Sequence, residues 1–270
     1  MLEASMREGK TVHPLQLRTA RQRLADGRLR DEIAAERPAG CFCLGVGEAM
    51  VEGSGDWQAC PCPDGIALVA EREDRVRRER AADVRSFLAR SGVPPRFEAM
   101  SFDTFPAQGR GSWFRRVREW LPTTDRPGLF LHGDYGRGKT GLAVSVLRAW
   151  IEREAAAGLY VVVPDLLESI RREYSNDGSP EGGAVLRMQR HPFVVFDDIG
   201  AERPSDWVTE KLYQVVNYRH GHLLPTVFTS NLALDALAEH LSPRVAYRIG
   251  EMCLRVELTG AQLRTGESAS

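Results

Sequence analysis

The chain has 270 residues, enough for one good-sized domain and a smaller appendage. Its 36 basic and 37 acidic residues leave a formal net charge of −1, which excludes a global positive field and confines any nucleic-acid contact to a local patch. No apolar run approaches the ~20 residues needed to span a bilayer, and Met1-Leu2-Glu3-Ala4-Ser5 lacks an apolar signal core, so the expectation is a cytoplasmic protein with no membrane partner.

Residues 1–38 are polar and charged, with Leu15, Leu17, Leu24 and Leu29 thinly spaced. They read as helical pieces with little core of their own: a partner-docking segment, a partly disordered one, or both. Residues 39–68 read as a cysteine module. Cys41-Phe42-Cys43 and Cys60-Pro61-Cys62 stand sixteen residues apart in a glycine- and proline-rich setting. In a reducing compartment two close thiolate pairs point to Zn²⁺, with Cys41, Cys43, Cys60 and Cys62 as ligands. C-x-C is tighter than the usual C-x₂-C knuckle, so unliganded thiols or a redox role stay open. Cys253, alone before an apolar strand, reads as a core residue.

Residues 69–93 read as a charged linker helix, in which Glu71/Arg75 and Asp74/Arg78 are acid-before-base pairs at i,i+4. Its arginines suit a solvated face, with nucleic-acid contact as the alternative. Ser91-Gly92-Val93-Pro94-Pro95 breaks that helix and marks the start of a domain over 94–265, leaving 266–270 as a tail. Inside this domain strands are expected at 128–132, 159–163, 193–196, 226–229 and 254–258. Helices are expected at 140–154, 165–174 and 206–218, with a polar loop over 175–183. Strands alternating with helices predict an α/β fold, a mostly parallel sheet flanked by helices on both faces.

Gly133-Asp134-Tyr135-Gly136-Arg137-Gly138-Lys139-Thr140 fits G-x-x-x-x-G-K-[ST], between a predicted strand and a predicted helix. Its glycines allow backbone N–H groups to turn inward around phosphate oxygens. Lys139 is one of three lysines, with Lys10 and Lys211, in a chain whose other basic residues are arginines. A compact point charge for β/γ-phosphates is what this position requires. The Thr140 hydroxyl is placed for Mg²⁺.

Phe193-Val194-Val195-Phe196-Asp197-Asp198 supplies the partner feature: four apolar residues for a strand buried on both faces, then two carboxylates at its exit. Asp197 is the candidate Mg²⁺ holder and Asp198 the candidate group polarising the attacking water, although glutamate is commoner there and reaches further. Asn231, just after Thr226-Val227-Phe228-Thr229, is placed to orient that water; Ser230 is a weaker candidate, and a plain turn is the alternative for Asn231. Arg244, Arg248 and Arg264 bracket the last strand, where guanidinium groups either stabilise a transferring phosphoryl group or form surface ion pairs.

These segments, together with Trp207-Val208-Thr209-Glu210-Lys211-Leu212-Tyr213 and Leu258-Thr259-Gly260-Ala261-Gln262-Leu263-Arg264, resemble AAA+ ATPases of the DnaC/DnaI helicase-loader and IstB-like group. The resemblance covers roughly residues 94–264. It implies a P-loop AAA+ sheet, ATP and Mg²⁺ as ligands, and self-association through the ATP site. Asn231 would be sensor 1, Arg248 a finger acting on a neighbour's ATP, and Arg264 a sensor 2-like arginine. Cys60-Pro61-Cys62 resembles the zinc module of some loaders, although the family usually begins it with C-x₂-C. That gives a small helical, zinc-ribbon-like N-terminal module. The replicative hexameric helicase is the implied partner, docked through residues 1–65. Single-stranded DNA is a weaker implication, carried by Arg171 and Arg172, which equally suit the C-terminus of their helix. The expected function is a slow, switch-type ATPase that loads a helicase in DNA replication. A transposition helper of the IstB-like type and a non-hydrolysing helicase- or DNA-binding adaptor are the alternatives.

Overall fold

In a computed structural model, the structure describes residues 48–50, 57–60, 62–106, 111–123, 125–177, 183–260 and 262–263. The chain divides into two compact units, Met1–Ala81 and Ala82–Ser270. The division falls inside a helix, ahead of the break at Ser91–Pro95.

In the first unit, β1 (Glu48–Met50) and β2 (Trp57–Ala59) pair antiparallel, with Met50 opposite Trp57. Helix α1 (Pro63–Ala89) begins directly after Cys62. Its start lies before residue 69, where the charge pattern puts it, within the stretch expected as the cysteine module. Proline at the first helical position loses no needed N–H, and Asp64 in the first turn faces the positive helix end. Ile66 N donates to the Cys62 carbonyl at 3.0 Å, closing the first turn. Cys60 and Cys62 are both buried there. A Cβ on Gly65 would stand 1.8 Å from the Cys60 carbonyl oxygen, so glycine lets the cysteine segment fold against the helix start. Cys41, Cys43 and residues 1–38 lie outside the described residues.

The second unit is built on five parallel strands. They are β3 (Gly128–His132), β4 (Gly158–Val162), β5 (Phe193–Asp197), β6 (Thr226–Ser230) and β7 (Cys253–Glu257), in the order β4-β5-β6-β3-β7. Every residue of β5 and β6 is buried, as is β3 up to Leu131. The edge strands β4 and β7 are only partly covered. This is why β5 reads as a continuous apolar run up to Asp197, whereas buried Thr226, Thr229 and Ser230 interrupt β6.

Alternate residues feed two cores. Phe130, Val194, Phe196 and Phe228 face one side. Leu129, Leu131, Phe193, Val195 and Val227 face the other. Against the second face lie α2 (Ser112–Arg118), α3 (Lys139–Glu154) and the end of α1, through half-buried Val84, Phe87 and Leu88. Leu142, Ala143, Val146, Leu147, Trp150 and Ile151 of α3 are buried as their spacing predicts, and Trp150 stacks on Phe193 with centroids 4.8 Å apart. Each large apolar side chain so buried contributes about 1.5–3 kcal/mol.

The first face is covered by α4 (Val163–Asp177), α5 (Gly183–Arg190), α6 (Asp206–Gly221), α7 (Leu234–His240) and α8 (Pro243–Met252). Helix α4 continues into the stretch expected as a loop, and α5 starts at its end. Arg219 of α6 is fully buried. Its guanidinium donates to the carbonyls of Met188, His191 and Pro225 and to the Thr226 hydroxyl, at 2.7–2.9 Å. Burial lowers its pKa to about 9, and these acceptors hold it charged at neutral pH. The knot ties the end of α5 to the amino ends of β5 and β6. Among the described residues no helix is long and apolar enough to cross a membrane.

Candidate nucleotide site

The carboxyl ends of β3, β5 and β6 converge on the amino end of α3, the edge at which open α/β sheets bind ligands. Between β3 and α3 runs Gly133–Gly138. Gly133 and Gly138 have φ of 141° and 85°. A Cβ on Gly133 would lie 2.6 Å from the Leu258 carbonyl oxygen, and one on Gly138 2.7 Å from Leu263 Cδ1. The loop is therefore held tightly by the segment after β7, and Leu263 N donates to the Gly136 carbonyl at 2.8 Å. Arg137 pairs with Asp134 at 3.0 Å, and Tyr135 is exposed. Lys139 Nζ donates to the Gly133 and Asp134 carbonyls at 2.7 and 2.8 Å, so the ammonium lies inside the loop's curve.

Asp197 ends β5 and is buried. Three hydroxyls surround its carboxylate. Thr140 Oγ1 lies 3.1 Å from both oxygens, Tyr160 Oη donates to Oδ2 at 2.6 Å, and Thr229 Oγ1 donates to Oδ1 at 2.6 Å. Burial, then the Asp197 charge, pushes the Tyr160 phenol well above its usual range, so it stays protonated and donates.

Asp198 sits in the left-handed region at φ 63°, a conformation that costs a non-glycine residue energy. Its N–H donates to Thr229 Oγ1 at 2.9 Å, and its Oδ1 accepts from Asn231 Nδ2 at 2.7 Å. These bonds turn the second carboxylate away from the first and into the cleft. Burial, and then the neighbouring Asp197 charge, raises its pKa. Ser230 instead donates to the Ile199 carbonyl at 2.6 Å, which leaves Asn231 as the amide facing Asp198.

Lys139, Thr140, Asp197, Asp198 and Asn231 all line one cleft of about 570 Å³, a volume suited to a nucleotide. Its far wall is apolar, formed by Phe97, Met100, Phe105 and Leu263. The donor set fits Mg²⁺ with a triphosphate: a hydroxyl and a carboxylate as hard oxygens, beside an ammonium and a glycine loop. Among the described residues no group of three or more His, Cys, Asp or Glu could hold a metal. Two of the four expected zinc ligands lie outside those residues.

The remaining sequence candidates lie elsewhere. Arg248, on α8, pairs with Glu251 at 3.1 Å and does not line the cleft. Arg244 is exposed, and Arg264 is outside the described residues. Arg171 and Arg172 are exposed and pair with Glu168 at 3.5 and 3.4 Å, and the Arg171 guanidinium lies 4.8 Å over the Trp207 ring. Sequence reasoning missed Tyr160, Thr229 and the wall from Pro94 to Phe105. Thr229 carried a signal, two residues before Asn231. Tyr160 carried none, because nothing local says that β4 neighbours β5.

A family model described as IstB-like ATP binding protein matches residues 56–247. The replicative helicase loader DnaI of Bacillus subtilis (strain 168) is 28% identical over 138 residues, which is 49% of this chain and 43% of that protein. The chain thus matches less than half the length of that relative. The phage-like element PBSX protein XkdC of the same organism is 24% identical over 251 residues, 84% of this chain and 86% of that protein. Among solved structures, the DnaC helicase loader superposes with a TM-score of 0.54 at 26% identity, over 62% of this chain and 100% of the solved one.

Proposed function

This chain belongs to the family of IstB-like ATP-binding proteins, and on that premise we propose that it is a Mg²⁺-dependent ATPase that loads a replicative hexameric helicase in DNA replication. The observation that carries the ATPase reading is one cleft holding the Gly133–Thr140 loop, Asp197 and the hydrogen-bonded pair Asp198–Asn231. In this reading the loop N–H groups and Lys139 bind the phosphates of ATP. Thr140 and Asp197 hold Mg²⁺, which when bound neutralises charge on the phosphates. Asp198, made more basic by burial, takes the proton of the attacking water, and the Asn231 amide keeps it aimed. Arg248 lies away from its own chain's cleft, which suits a guanidinium offered to a neighbouring copy. Arg264 acts as a second sensor of nucleotide. Hydrolysis is slow and times release of the partner.

The likeness to DnaI and DnaC supports a replicative helicase as partner; docking through residues 1–65 and single-stranded DNA contact at Arg171 and Arg172 are further parts of the proposal. The test is capture of the replicative helicase by the full chain in ATP, lost when residues 1–65 are removed. Arg248→Ala is expected to bind ATP normally but to hydrolyse and self-associate poorly; wild-type hydrolysis in that variant would remove the finger role. The IstB-like membership is equally compatible with a second reading, a transposition helper ATPase. Capture of a transposase in place of the helicase decides for it. Phosphate release no faster than in buffer, with ATP bound and single-stranded DNA present, decides for a non-hydrolysing adaptor. Burial of Cys60 and Cys62 between a hairpin and a helix start supports zinc held with Cys41 and Cys43. Metal analysis tests it, with one zinc per chain expected and a content well below one refuting it.

A further inference from the structure

Tyr160 joins two parts of the second unit that the nucleotide reading leaves unconnected. On one side its hydroxyl donates to Asp197 Oδ2 at 2.6 Å, and its ring lines the cleft. On the other its backbone is held by the segment that leaves α1. Tyr160 N donates to the Ser91 carbonyl at 2.7 Å, and Gly92, at φ 77°, packs so closely that a Cβ there would lie 2.9 Å from the Tyr160 carbonyl oxygen. Ser91 is itself fully buried and anchored, its hydroxyl donating to the Leu88 carbonyl at 2.7 Å. Leu88, Phe87 and Val84 pack on the core cluster that contains Tyr160. Two residues past Gly92 the same segment becomes the cleft wall, at Pro94, Arg96 and Phe97.

We propose that Tyr160 is a positioning residue through which the segment from Leu88 to Gly92 sets the Asp197 carboxylate, and with it the divalent-cation affinity of the nucleotide site. This rests on the ATPase reading above. A carboxylate on a single Cβ–Cγ bond can rotate. Thr229 holds Oδ1 from β6 and Tyr160 holds Oδ2 from β4, so the two neighbouring strands fix its plane from opposite sides. Thr140 alone, at 3.1 Å from each oxygen, selects neither. A movement of Ser91–Gly92 is passed to the β4 backbone, then through one phenol to the metal-holding group. A phenol buried only for packing needs some acceptor; this one has the carboxylate, and the strand that carries it is pinned by the segment leaving α1.

The experiment is a Mg²⁺ titration of ATP binding to the full chain, with a fluorescent ATP analogue, beside binding in EDTA. For Tyr160→Phe the half-saturating Mg²⁺ concentration is expected to rise about tenfold or more, the usual effect of losing a group that orients a metal ligand, with affinity in EDTA unchanged. Gly92→Ala is expected to shift the midpoint the same way, and the double variant no further than Tyr160→Phe alone, because both act through one bond. Should Gly92→Ala not fold, Leu88→Ala takes its place, since it loosens the end of α1 without touching the cleft. An unchanged midpoint in Tyr160→Phe overturns the proposal, as does equal loss of binding in EDTA, which would mark a merely structural tyrosine. Additive shifts in the double variant overturn the link to α1. A wild-type chain that binds no ATP under either condition removes the ATPase reading and this inference with it; the other outcomes leave that reading standing.

Discussion

The two ends of the central sheet both bury a charge, and they do so for different ends. At the amino ends of β5 and β6, Arg219 is closed in by carbonyls of Met188, His191 and Pro225 and by Thr226. All but one of those acceptors are backbone, so the knot is as rigid as the fold. At the carboxyl ends, Asp197 is held by three side-chain hydroxyls, from Thr140, Tyr160 and Thr229. The residues that carry them also line the cleft, where a bound ligand can compete for each hydroxyl. A buried charge satisfied by backbone is a structural tie; one satisfied by rotatable donors beside a cavity is prepared to exchange partners.

Breaking each end separates these roles. Arg219→Met strands several buried carbonyls and is expected to lower unfolding free energy by about 3–5 kcal/mol in urea titrations, with ATP affinity of the folded fraction unchanged. If ATP binding falls and stability does not, the contrast is wrong. At the other end Asp198→Asn keeps the shape and is expected to slow phosphate release about 100-fold, while nucleotide binding and melting temperature stay near wild type. Lys139→Ala removes charge-assisted bonds to phosphate, so ATP affinity should drop roughly 10–100-fold by calorimetry with the fold retained. Unchanged affinity there would dissolve the site. The smallest effect sharpens the comparison: replacing both Arg171 and Arg172 with alanine breaks exposed pairs with Glu168 and the stacking of Arg171 over the Trp207 ring. Stability should change by under about 1 kcal/mol, whereas weakened single-stranded DNA binding in a salt titration would mark these arginines as a contact.

What the sequence made legible was local. The phosphate loop, the apolar run ending in Asp197 and the helix after the loop each announce themselves within a few residues. Cys253 was legible for the same reason, an apolar neighbourhood, and burial raises its thiol pKa far above the usual value. What stayed hidden depends on strand order. That β4 lies beside β5 places Tyr160 on Asp197, and no pattern in either strand encodes it. Arg219 looks like any arginine on a helix until β5 and β6 are brought beneath it. The short helices α7 and α8 span only Leu234–His240 and Pro243–Met252, little length for a pattern to stand out; Ser242 with Pro243 was a usable start signal for the second. The onset of α1 was obscured by Gly65, which normally argues against a helix but here sits in its first turn.

The bond from Tyr160 to Ser91 has a consequence for how this sheet avoids its own kind. Strand β4 is an edge, and an uncovered edge offers unpaired N–H and C=O groups to any other chain. The residues leaving α1 occupy part of that edge, taking the Tyr160 N–H and crowding its carbonyl with Gly92. A chain cut just before Pro94 would keep every cleft-lining residue named here and still expose that strand. Such a fragment should pair through β4 and aggregate, while one that begins at Ala82 should remain dispersed.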